Sequence, residues 1–298
     1  MLDLPLAAAL LTVVLWSSAF VGIRAAGEDL GGGELSLLRL TVGSVALGAT
    51  MLVRRTPLPA RRDLPALVAL GVIWFGVYNV VLNEGERRVD AGTAAMITNV
   101  GPVLIALLAG VVLREGFPRS LLGGCAIAFG GVVVIGVATS EHGVGASWGV
   151  ALCLLAAIAY AVAVVVQKPL LGRSSGLAVT WAACTVGAIA CLPFAGGLVD
   201  QLGRASAGHV AWAVYLGAVP TAIGFSTWAY ALARTSAGRM GATTYLVPPL
   251  AVLLGWAILG EAPPALALAG GALCLLGVVV TRQGLRVLRR PSSPGARA

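Results

Sequence analysis

The stretch from Ala91 to Val134 reads AGTAAMITNVGPVLIALLAGVVLREGFPRSLLGGCAIAFGGVVV. Shifted by 146 positions, it overlies Ala237 to Val280, AGRMGATTYLVPPLAVLLGWAILGEAPPALALAGGALCLLGVVV, without a gap. Seventeen of the 44 paired positions are identical, where this Ala/Leu/Val/Gly-rich composition gives roughly a tenth by chance. The identities extend to Ala91-Gly92 with Ala237-Gly238, Thr98 with Thr244, Pro102 with Pro248, Glu115 with Glu261, Pro118 with Pro264 and Gly124 with Gly270. A duplicated apolar half is the plan of many secondary transporters, with the substrate site between the halves.

Working outward, 58% of the 298 residues are apolar and only 11% are charged, with a mean hydropathy of +0.94. A soluble domain carries about a quarter charged residues, so the solvent for most of this surface is a bilayer. Cys125, Cys153, Cys184, Cys191 and Cys274 all fall inside apolar runs without Cys-x-x-Cys spacing, which reads as small buried hydrophobes rather than disulfides or metal ligands. The run from Leu4 to Ala26 has no Lys or Arg before it and exceeds a signal peptide's apolar core, so it reads as a retained span.

Apolar runs long enough to cross about 30 Å as helices recur ten times. They cover about Leu4–Ala26, Leu35–Val53, Leu64–Leu82, Ala91–Leu113, Leu121–Ala138, Trp148–Val166, Leu177–Val199, Val210–Leu232, Gly241–Leu259 and Ala265–Thr281. Pro193 and Gly196-Gly197 interrupt the seventh. With alternate breaks assigned to alternate sides, fifteen of the 20 basic residues share the side of the N-terminus. The other side holds Arg24, Arg87, Arg88 and Arg204, and Arg39 lies within a span. The positive-inside rule puts both termini in the cytoplasm, as expected for a multi-pass protein of a cell's inner membrane. The net charge of +8 therefore reports orientation, and nucleic acid is not an expected partner.

Five spans per half is an odd number, so the second half enters the membrane upside down. The expected fold is all-α and integral to the membrane: ten transmembrane helices as two inverted five-helix repeats. The first repeat is expected at 1–140, the second at 146–282, and a basic cytoplasmic tail at 283–298.

These residues resemble the ten-helix drug/metabolite transporter superfamily, specifically its EamA type with two tandem domains. The resemblance rests on Leu15-Trp16-Ser17-Ser18-Ala19-Phe20, on Leu37-Leu38-Arg39-Leu40, and on the paired Pro-to-Leu-x-Glu segments Pro102 to Glu115 and Pro248 to Glu261. It implies a carrier of small organic solutes, often outward, with a central cavity between the halves and no ATP hydrolysis. Many members carry an acid just before the proline of the ninth span; here the run is Tyr245-Leu246-Val247-Pro248-Pro249. If that acid carries protons elsewhere, Val247 cannot do so here, which leaves proton or ion coupling open. A homodimer is likewise left open.

Polar side chains at membrane depth are costly and usually face the bundle interior. The candidate substrate residues are Trp16, Ser17, Tyr78, Asn79, Thr98, Asn99, Tyr160, Trp228, Thr244 and Tyr245. The competing reading is interhelical hydrogen bonding for Ser and Thr and interfacial anchoring for Tyr and Trp. Asn79 and Asn99 stand out because a buried amide must satisfy several donors and acceptors. Tyr245 overlies Asn99 in the repeat; for these three, site and scaffold remain equal alternatives. Pro102, Pro248 and Pro249 each remove a backbone donor inside an expected helix and are candidate hinges. Arg39 has two readings: neutralising an anionic substrate, or, preferred on spacing, snorkelling outward to pair with Glu34. Glu84 and Arg88 have i,i+4 spacing, which predicts a local pair.

A membrane-embedded transferase acting on a lipid or prenyl substrate is the alternative activity. Such enzymes need clustered carboxylates to hold Mg²⁺, and the sequence has no Asp-x-x-Asp or Asp-Asp pattern. Neither catalytic residues, nor a metal site, nor a cofactor is expected; the partners are a small-molecule substrate and the lipid bilayer.

Overall fold

A backbone without water to bond must bond to itself, and the apolar stretches accordingly form helices. The computed structural model describes residues 4–112, 119–140, 144–234 and 243–288; among these there is no strand. The first half comprises α1 (Leu4–Ala26), α2 (Gly32–Val53), α3 (Leu64–Leu70), a π-helical segment (Gly71–Val77), α4 (Tyr78–Glu86), α5 (Ala91–Thr98), α6 (Gly101–Val112) and α7 (Arg119–Ser140). The second comprises α8 (Val144–Leu171), α9 (Gly176–Ala190), α10 (Ala195–Leu202), α11 (Ala207–Leu216), a π-helical segment (Gly217–Gly224), α12 (Phe225–Arg234), α13 (Val247–Leu259) and α14 (Ala265–Leu288).

Five helical segments are long and apolar enough to cross a bilayer: Leu4–Ala26, Gly32–Val53, Arg61–Glu86, Ala146–Leu171 and Ala207–Arg234. A sixth, Gly176–Ala190 with Leu192–Leu202, bends by 48° beside Pro193, whose ring fixes φ and removes a donor. Shorter apolar helices, Ala91–Ile105, Leu122–Ile135, Thr244–Leu259 and Ala265–Gly277, lie where the remaining spans are expected. Glu115, one of the paired acids, falls outside the described residues.

The inverted repeat is visible in the packing. Gly131 of α7 sits so close to α14 that a Cβ there would lie 2.5 Å from the Gly270 carbonyl oxygen; a Cβ on Gly277 would lie 2.5 Å from the Gly124 carbonyl oxygen. Gly131 and Gly277 are repeat mates, as are Gly124 and Gly270. Cys274 Sγ donates to the carbonyl of its own mate, Ala128, at 3.3 Å. The pseudo-two-fold axis therefore runs between α7 and α14, and small residues let their backbones touch.

A second symmetric element is the pair of π-helical segments, which begin at repeat mates Gly71 and Gly217. A Cβ on Gly71 would meet Val186 Cβ at 2.5 Å, and one on Gly217 would meet the Arg39 carbonyl oxygen at 2.5 Å. Each half thus packs its third span onto the second span of the other half.

The third symmetric element is a pair of clamps. At the end of the bundle carrying the N-terminus, Asp63 pairs with Arg173 at 3.2 Å. At the far end its repeat mate His209 meets Asp29 at 2.6 Å and Glu28 at 3.4 Å. In both, the start of a third span is tied to the loop after the other half's first span. The Ser206 backbone N–H, 2.8 Å from Asp29 Oδ2, together with the His209 ring, holds the Asp29 carboxyl below the usual carboxylate range.

Candidate functional site

The expected fourth span is a broken helix, and the expected ninth carries a 3₁₀ turn. In the fourth, α5 stops at Thr98 and α6 restarts at Gly101 across Asn99 and Val100. In the ninth, a 3₁₀ turn over Thr244–Leu246 leads into α13. The prolines expected to kink continuous helices instead stand in the first turn of a new one, Pro102 in α6 and Pro248 and Pro249 in α13. There the missing N–H has no intrahelical acceptor to lose. The break and the turn are joined: Asn99 Nδ2 donates to the Thr244 carbonyl at 2.7 Å, which also accepts the Val247 N–H.

Beside this junction a cavity opens between the halves. Measured by the room open to the centre of a water-sized sphere it is about 60 Å³, where one water needs roughly 10–15 Å³. It admits a small solute. From the first half its wall takes Trp16, Phe20 and Ile23 of α1, Arg39 of α2, Trp74, Tyr78 and Leu82 of the third span, and Thr98, Asn99 and Pro102 at the break. Tyr160, Phe225, Thr244 and Val247 complete it from the second half.

Six of the expected site residues therefore face one space: Trp16, Tyr78, Thr98, Asn99, Tyr160 and Thr244. The other four do not line it. Ser17 hydroxyl donates to the Val13 carbonyl at 2.7 Å and the Val247 carbonyl at 3.3 Å, tying α1 to α13. Asn79 Nδ2 donates to the Trp74 and Phe75 carbonyls at 3.2 and 2.9 Å; it satisfies oxygens of the π-helical segment. Trp228 stands one layer behind, stacked on Trp16 with ring centroids 4.8 Å apart and donating from Nε1 to Gln167 Oε1 at 3.2 Å. Tyr245 packs half-buried against the apolar core.

The aromatic wall is continuous. Trp74 meets Phe225 edge-on at 5.1 Å and Tyr160 at 5.7 Å, and Trp16 meets Phe225 at 5.2 Å. Trp74 and Phe225 were not anticipated, because their register on the cavity side follows from the π-helical segments, which shift the helical phase.

Arg39 is the principal correction. It does not reach outward to Glu34; it is 3% exposed, donates from Nε to Thr221 Oγ1 at 2.8 Å, and lines the cavity. Thr221 lies in the second π-helical segment, so α2's cation is held by the opposite half. Glu84 does pair with Arg88, and its carboxylate also accepts from the Gly32 N–H at 3.0 Å at the start of α2. Two residues on, Glu86 is fully buried, with both carboxyl oxygens lacking a hydrogen-bond partner among the described residues.

At the far end, next to cavity residue Ile23, Arg24 Nε pairs with Glu261 Oε1 at 2.7 Å. Arg24 Nη1 donates to the Glu86 and Arg87 carbonyls at 3.3 and 3.2 Å. One guanidinium thus joins α1, α4 and the loop before α14, holding the halves together on that side.

Two inverted helical repeats around a cavity, with a broken helix and a 3₁₀ turn meeting beside it, define a membrane carrier. The sequence matches the model of the EamA-like transporter family over residues 4–137 and 147–283, and the chain belongs to that family. It is 42% identical over 294 residues to a Streptantibioticus cattleyicolor protein named "Probable terminal-alkyne amino-acid exporter", covering 97% of each chain. It is 28% identical to a Salmonella typhimurium protein named "Probable amino-acid metabolite efflux pump", covering 94% of this chain and 95% of that one. One solved crystal structure shares the fold with a TM-score of 0.63 at 20% identity, over 95% of this chain and 97% of the other. The chain is a transporter rather than a membrane-embedded transferase.

Proposed function

We propose that this transporter exports amino-acid-type solutes by alternating access, loading them from the cytoplasm into the cavity beside the Asn99–Thr244 junction. The observation that carries the reading is the cavity itself, which sets the Arg39 guanidinium and the Asn99 amide against an aromatic wall between two inverted halves. The names of the two relatives support amino acids as cargo and outward movement. The repeat units are 1–140 and 146–282, with a basic tail at 283–298. The clustering of basic residues on the N-terminal side supports cytoplasmic termini in the inner membrane. No nucleotide loop occurs in the sequence, so the driving force is a gradient of the solute or of a coupled proton or other ion.

Liposomes containing only the purified protein, loaded with unlabelled phenylalanine, leucine or propargylglycine, should accumulate the labelled counterpart without nucleotide. A strict ATP requirement, or movement of none of these while other solutes pass, overturns the reading. Reporters fused after Gln283 and in the Glu141-His142 loop should report opposite sides of the membrane.

A further inference from the structure

We propose that Arg39 is the seat of the substrate's carboxylate, so that the transporter selects free amino acids with apolar or aromatic side chains over their amides, esters and amines. The proposal rests on the export reading and names its ligand chemistry.

A guanidinium withdrawn from water inside a membrane bundle is costly unless it is paired and its donors are used. Arg39 is 3% exposed, yet among the described residues no carboxylate lies within ion-pair distance of it. Its one protein hydrogen bond among those residues goes from Nε to Thr221 Oγ1, and Nη1 has no partner. The Thr221 bond fixes the plane of the fork while leaving the outer nitrogens uncommitted. A planar fork with two free N–H edges matches a carboxylate bidentately, which an ammonium does not. Arg39 lies on the cavity wall.

The other groups on that wall complete an amino acid. Asn99 spends its Nδ2 on the Thr244 carbonyl, while its Oδ1 lacks a partner and is an acceptor suited to an ammonium. Trp16, Trp74 and Phe225 offer apolar area to a side chain. Glu86 is a buried carboxyl on the same side of the bundle, but no hydrogen bond joins its carboxyl group to the Arg39 or Arg24 side chain, so it does not occupy the fork.

The test is inhibition of labelled phenylalanine counterflow in liposomes by phenylalanine, phenylalaninamide, phenethylamine and 3-phenylpropionate. A lost hydrogen bond to a charged group weakens binding about ten- to 150-fold, so the amide and the amine should inhibit that much less than phenylalanine. Arg39→Gln should abolish the discrimination at normal membrane level, and Arg39→Lys should restore part of it. If Arg39→Gln does not fold, Thr221→Val keeps the charge but frees the fork, and should narrow the acid-to-amide ratio. Equal inhibition by acid and amide overturns the carboxylate seat while leaving amino-acid export standing. Wild-type discrimination in Arg39→Gln does the same. Transport of phenethylamine but of no amino acid overturns both.

Discussion

Asn99 does two jobs at once: its amide nitrogen ties the break between α5 and α6 to the 3₁₀ turn of the other half, and the residue lines the cavity. Asn99→Ala removes the side-chain bond to the Thr244 carbonyl, which keeps the Val247 N–H, so the loss is that of one hydrogen bond, about 0.5–1.5 kcal/mol. Transport should fall about two- to tenfold in proteoliposomes matched for folded protein, whereas Thr98→Val should change it less, since among the described residues Thr98 hydroxyl bonds only the Ala94 carbonyl of its own helix. Asp29 gives a prediction in pH. Its carboxyl is depressed in the folded protein, so the stability it contributes is complete above the unfolded value and is lost as pH falls through the lower folded one. Wild type should therefore melt above Asp29→Asn in detergent at neutral pH, and the two should converge only below pH 3.8, the ordinary value. Residues such as Asn99 were legible in the sequence because an amide at membrane depth must find partners. Arg39 was not: spacing placed it near a span's end beside Glu34, and its actual partner Thr221 stands 182 positions away in a segment whose π-helical phase no periodicity reveals.

At the scale of elements, α7 and α14 meet through backbone rather than side chains. Gly277→Val would drive its Cβ to 2.5 Å from both the Ala128 nitrogen and the Gly124 oxygen, and neither atom can yield without moving a helix. Fluorescence-detected size exclusion in mild detergent should show loss of most of the monodisperse protein, with the same result for Gly131→Val. Gly123→Ala, where nothing lies within 4 Å, should elute as wild type; a normal Gly277→Val would mean the two helices are not in backbone contact. The sequence showed that both helices exist and that their glycines recur, because composition and repeat are local signals. It did not show which helices touch, and the break at Asn99 was expected as a kink, since a proline reads alike in the middle of a helix and at the start of one.

For the molecule as a whole, charge and repeat announced the architecture, and the departures from symmetry carry what is particular to this chain. Inverted repeats allow the second state of a carrier to be written down from the first by exchanging each residue for its mate. The far-end bridge of Arg24 to Glu261 then maps onto Leu170 and Glu115. One partner of the mirrored bridge is a leucine, so the opposite closure lacks this tie. An ion pair with side chains 32% and 27% exposed contributes about 0.2–1 kcal/mol, which tilts the populations by up to about fivefold. Glu261→Gln should remove that tilt. Labelling of a cysteine placed at Leu82 by an impermeant thiol reagent from the far side should rise by up to about that factor over the Leu82→Cys parent. An unchanged labelling rate would show the bridge to be energetically idle. With the termini in the cytoplasm, as proposed, such a tilt would leave the unloaded machine idling with its mouth toward the cell's own pool, as a pump for waste or product must if it is to be found empty and waiting where its cargo is made.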